Sequence, residues 1–109
     1  MRQRTEEILL RTSHGLGYEY KLRIDELDAE RATSVIRSAP SFADFDSTNE
    51  LFNFRGPEIK SQWPTLVAKI DSDGIYLCHY GDAKLFDLVV AYLNANLNKV
   101  PENFVVEEL

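Results

Sequence analysis

The sequence predicts a single α+β domain over residues 1–109, with an antiparallel or mixed sheet of about five to seven strands and two helices packed on one face. Three observations carry this expectation. Residues 65–97 read as strand, tight turn, strand and then a long apolar helix. Residues 18–24 alternate strictly between apolar and charged side chains, the period of a half-buried strand. Two stripes at helical spacing, in 25–39 and 82–97, are separated by hairpin-like runs, which gives the order β-α-β-β-β-β-α-β.

In chain order, residues 6–12 read as a ragged N-terminal strand, and the two glycines in 13–17 mark a turn. In the strand that follows, Tyr18, Tyr20, Leu22 and Ile24 face one way while Glu19, Lys21 and Arg23 face the other. Asp25 then reads as a helix N-cap, with Glu26, Asp28 and Glu30 near the positive end of the helix dipole. Ala29, Ala32, Val35, Ile36 and Ala39 form a narrow apolar stripe, and Pro40 ends the helix. Small alanines on that stripe allow close approach to a sheet.

Residues 41–46 and 50–55 read as a hairpin closed by Asp46-Ser47-Thr48-Asn49, and they carry Phe42, Phe45, Phe52 and Phe54. A loop over 56–64, bracketed by prolines, contains the only tryptophan, Trp63. The next two strands, 65–70 and 75–80, are joined by Asp71-Ser72-Asp73-Gly74, with the glycine expected at a positive-φ position. Asp82 caps the second helix, Val100-Pro101 breaks it, and residues 104–107 read as a closing strand.

On the second helix, Leu85, Phe86, Leu88, Val89, Val90, Tyr92, Leu93 and Leu97 span an arc of roughly 200°, about twice what one sheet face requires. Either the other helix or the C-terminal segment covers the excess, or a second copy (a homodimer through 82–97) or another partner does.

Composition narrows the classes of function. One cysteine, Cys78, allows no internal disulfide and fits a reducing, cytoplasmic setting. No segment approaches a membrane span, and Ile8-Leu9-Leu10 is too short for a signal-peptide core. A net charge of −6 argues against a nucleic-acid surface, which would need clustered Lys and Arg. The same acidity serves solubility, and it permits an acidic face that attracts a basic partner.

The motifs that suggest chemistry have plainer readings beside them. Cys78 and His79 resemble a nucleophile and base, but neighbours on a strand point to opposite faces. His14 and His79 have no local ligand spacing, so no metal or cofactor is expected. Asp71-Ser72-Asp73-Gly74 lacks the glutamate that completes a calcium loop. Gly81-Asp82 offers one glycine only, and the aspartate would repel a phosphate. Asp44 and Asp46 share a strand face, as acid–base pairs sometimes do, although solvated charge is the commoner use.

In size, acidity and element order the chain resembles the small acidic α+β immunity proteins that neutralise bacterial toxins. No motif matches residue by residue, so no functional residue is carried across. The expectation is therefore a protein-binding module without catalysis, in its sharpest form an immunity-type inhibitor of a basic toxin. Trp63, as a rigid anchor or equally as a lid on the core, would act with Phe52, Phe54 and Arg55. Asp44, Asp46, Glu50 and Glu58 would steer the partner. The alternatives are a self-associating accessory protein, and a small-molecule binder or small hydrolase with a pocket lined by Tyr18, Tyr20, Tyr76, Tyr80 and His79.

Overall fold

Alternation in the first strand has the expected outcome. In β1 (Tyr18–Arg23), Leu22 is fully buried and Tyr20 packs on the core, while Glu19, Lys21 and Arg23 take the other face. The structure, a computed structural model, describes residues 17–56 and 64–109. The expected strand over 6–12 lies outside the described residues. The remaining elements are α1 (Ala29–Arg37), β2 (Phe42–Asp46), β3 (Leu51–Phe54), β4 (Leu66–Ile70), β5 (Gly74–His79), α2 (Ala83–Leu97), a 3₁₀ turn (Pro101–Asn103) and β6 (Val106–Glu108).

The strands form one antiparallel sheet in the order β2-β3-β4-β5-β1-β6. Both helices lie on one face and share a single core with it. Ala32 and Ile36 enter from α1, and Leu85, Phe86, Val89, Val90 and Leu93 from α2. They meet Leu22, Phe52, Phe54, Leu66, Ala68, Ile75 and Leu77 from the sheet. Each large side chain that leaves water completely contributes about 1.5–3 kcal/mol, so this layer stabilises the fold more than any other feature.

Two local expectations are corrected. Asp28, not Asp25, caps α1, accepting from the Glu30 and Arg31 N–H groups at 3.0 and 3.5 Å. Residues 25 and 26 form a turn in which Glu26 takes φ 52°, and the Asp25 N–H donates to Asn98 Oδ1 at 3.1 Å. Gly74 is not a left-handed residue. It belongs to β5, and a Cβ there would be driven into the Leu22 carbonyl. The positive φ falls instead on Gly81, at 93°, just before α2.

Asp82 caps α2 as expected. Its Oδ1 accepts from the Leu85 N–H at 3.2 Å, and its Oδ2 from Thr65 Oγ1 at 3.1 Å. The far end of α2 is tied down by two asparagines. Asn98 Nδ2 donates to Asn94 Oδ1 and to the Arg23 carbonyl, while Asn94 Nδ2 reaches the Pro101 carbonyl. On the open face, Lys21 pairs with Asp71 and Asp73, and Arg23 pairs with Asp73 and Glu107. These pairs tie the 71–74 turn and β6 to β1.

Candidate functional site

The β2–β3 hairpin holds most of the side chains expected to bind, and the structure sorts them by role. Asp46 closes its own turn: it accepts from the Thr48 and Asn49 N–H groups and from Asn49 Nδ2. The Asn49 donors hold its carboxyl below the usual carboxylate range. Asp44 sits opposite Asn53, accepts from Asn53 Nδ2 at 2.8 Å and pairs with Arg55 at 3.2 Å. Asn53 first, and Arg55 with it, lower its pKa as well. Both carboxyls thus favour the ionised form, the opposite of what a general acid at neutral pH requires.

Phe52 and Phe54 belong to the core rather than to an exposed surface. Both are buried, and Phe54 completely, because they alternate with Asn53 and turn toward the helices. Trp63 and Glu58 lie outside the described residues. Glu50 is exposed, with φ 57°, at the residue that leads the turn into β3.

Beside Glu50, an open hollow of about 300 Å³ separates the hairpin from α1. Phe45, Phe52 and Ile70 supply its apolar lining, Thr33 and Ser47 supply hydroxyls, and Glu50 supplies a carboxylate; Lys69 borders it as well, but pairs with Tyr76 in the ladder and turns its side chain to the open face. Phe45 packs at a tilt against Phe52, with centroids 4.7 Å apart, and the Arg37 guanidinium lies 5.6 Å from its ring centroid. An apolar lining with hydroxyls and a carboxylate beside it suits an inserted apolar side chain flanked by polar contacts. Of these residues only Glu50 and Phe52 were expected from sequence. Thr33, Ser47, Lys69 and Ile70 are gathered by tertiary packing, which leaves no local signature.

No family model, curated protein or solved structure matches this chain. The geometry of its own side chains is what separates the possible functions.

Cys78 and His79 point to opposite faces of the sheet. His79 lies with Ile75 and Leu77 under the helices, and stacks on Tyr18 and Tyr20 with centroids 5.0 and 5.9 Å away. Phe86 packs 5.0 Å from the same ring, and burial lowers the imidazole pKa against the opposing pull of Asp82 and Asp87. Cys78 lies with Tyr76 on the open face and is only 4 % exposed, close against Gly17. Tyr76 donates to Glu19 Oε2 at 2.8 Å there, and burial raises its hydroxyl pKa. The tyrosine pocket imagined from sequence is therefore divided by the sheet: Tyr18, Tyr20 and His79 are on one side, and Tyr76 is on the other. Among the described residues, no three His, Cys, Asp or Glu side chains converge as metal ligands. No helix among them is long and apolar enough to cross a membrane.

The wide apolar arc of α2 is largely accounted for within the fold. Leu85, Phe86, Val89, Val90 and Leu93 are buried, and Tyr92 and Leu97 pack at the margin of the core. Leu88 alone stands out, at 55 % exposed, and single exposed leucines are ordinary on protein surfaces.

Proposed function

We propose that the protein is a non-catalytic binding module for a basic protein partner, and that the hollow between α1 and the β2–β3 hairpin receives an apolar side chain of that partner. The observation that carries this reading is the lining itself: Phe45, Phe52 and Ile70 beside the hydroxyls of Thr33 and Ser47 and the carboxylate of Glu50. A pocket of this kind concentrates binding free energy in one buried anchor, while the rim sets orientation. The net charge of −6 adds long-range attraction for a basic surface.

The sharpest form of the proposal is an immunity-type inhibitor that covers a basic toxin, which agrees with the resemblance in size, acidity and element order. Self-association through the second helix has less support, since its motivating arc reduces to Leu88. Among the described residues the small-molecule alternative could draw on the same hollow, which is open and at the lower end of ligand-pocket volumes.

The test is capture from a lysate of the source organism on immobilised protein, beside a Glu50→Lys variant. Glu50 is exposed, so its replacement leaves the core intact. A basic protein retained by the wild type and lost by the variant supports the reading. Retention of an acidic protein, or equal retention by both, contradicts it.

A further inference from the structure

We propose that the outer edge of β6 is a second contact surface, which accepts an extended basic segment of a protein partner as a seventh antiparallel strand. This proposal shares the basic partner with the reading above but not its surface, and neither depends on the other.

The backbone geometry comes first. Val105 O accepts from the Arg23 N–H at 3.0 Å, and the Leu109 N–H donates to Glu19 O at 2.9 Å. Glu107 lies opposite Lys21 between them. In an antiparallel ladder the inward-bonding residues alternate with outward-bonding ones, so 105, 107 and 109 turn their backbone groups to β1. The N–H and C=O groups of Val106 and Glu108 therefore point away from the sheet, and among the described residues nothing pairs with them. That leaves two donors and two acceptors in strand geometry at an edge that no described residue covers. The opposite edge, β2, is guarded differently: a bulge between Phe42 and Asp44 interrupts its register, and such irregularity discourages added strands.

The side chains around the edge say what would fit. Val105 and Leu109 are 47 % and 53 % exposed, and Phe104 beside them is 44 % exposed. Between these apolar positions sit Glu107 on the open face and Glu108 on the helix face. Glu107 already pairs with Arg23 at 2.8 Å, whereas Glu108 is exposed. A complementary strand thus has apolar residues opposite 105, 106 and 109 and basic residues opposite 107 and 108. A second copy of this chain fits poorly. Two-fold pairing centred on residue 107 or on residue 108 sets glutamate directly against glutamate, and both copies carry a net charge of −6.

The probe is a capped peptide reading threonine, valine, lysine, lysine, valine, valine, threonine, titrated into the ¹⁵N-labelled full chain. The expected result is amide shifts confined to residues 104–109 and the facing part of β1, with hydrogen exchange at the Val106 and Glu108 amides slowed by about tenfold or more. N-methylation of the two peptide amides that would face β6 should weaken binding about tenfold, and glutamates in place of the lysines should abolish it. Glu108→Lys in the protein should weaken it likewise without disturbing the core. Equal binding of the N-methylated peptide overturns strand addition. Shifts at Ser47, Glu50 and Lys69 instead of β6 overturn the edge proposal while supporting the hollow. Absence of shifts at 104–109 overturns it and leaves the hollow to its own test.

Discussion

Cys78 and His79 are consecutive in the chain, yet the sheet lies between their side chains: the imidazole stacks under the helices and the thiol is buried on the far side. A thiolate and a base that cannot meet are not a catalytic pair. The thiol of the folded protein should accordingly react with a neutral disulfide reagent far more slowly than the thiol of the same chain in urea. A fast reaction at neutral pH without denaturant would restore Cys78 as a reactive centre.

His79 makes a pH-dependent contribution to stability with a definite sign. Its folded pKa is lowered by burial among Tyr18, Tyr20 and Phe86, so the unfolded chain binds the proton more readily. Its contribution is complete above the unfolded value of about 6.5 and is lost as the pH falls below it. The urea midpoint of the wild type should drop between pH 7.5 and 5.5, and His79→Phe should drop less. The other histidine, His14, is present in both proteins and cancels in the comparison.

Two glycines should respond to alanine for different reasons. Gly74→Ala forces a methyl group into the Leu22 backbone and should cost about 2 kcal/mol or more. Gly81→Ala meets no atom within 4 Å, so only its φ of 93° opposes the substitution, at about 1 kcal/mol. Chemical denaturation of the two variants checks the order.

The caps of α1 can be separated in the same way. Asp28→Ala should cost about 1 kcal/mol, because two helix N–H groups lose their acceptor. Asp25→Ala should stay within about 0.5 kcal/mol, since it is the Asp25 backbone, not its carboxylate, that bonds Asn98.

These residues also show what a reader of the sequence can and cannot see. The alternation of 18–24, the hairpin turns and the Asp82 cap are local patterns, and each produced the element it predicts. Asp25 and Asp28 are equivalent caps by composition. The choice between them falls to Glu26, whose φ of 52° takes the chain out of the right-handed helical region directly after Asp25. Gly74 looked like a turn glycine because the contact that requires it is made by another strand. The burial of Phe52 and Phe54 is legible in their alternation with Asn53, whereas aromatic character alone suits a core and a contact surface equally. The hollow was not legible, because α1, the hairpin and β4 contribute to it from distant parts of the chain.

The most direct test of the binding account is the affinity of the retained basic protein, measured by calorimetry against three forms of this chain. Thr33→Arg fills the hollow, whereas Leu88→Lys adds the same single charge to the exposed side of the other helix. The account predicts that Thr33→Arg weakens binding at least about tenfold, while Leu88→Lys remains within about threefold of wild type. Equal affinity for Thr33→Arg and wild type, or an equal loss in both variants, would contradict a partner anchored in the hollow.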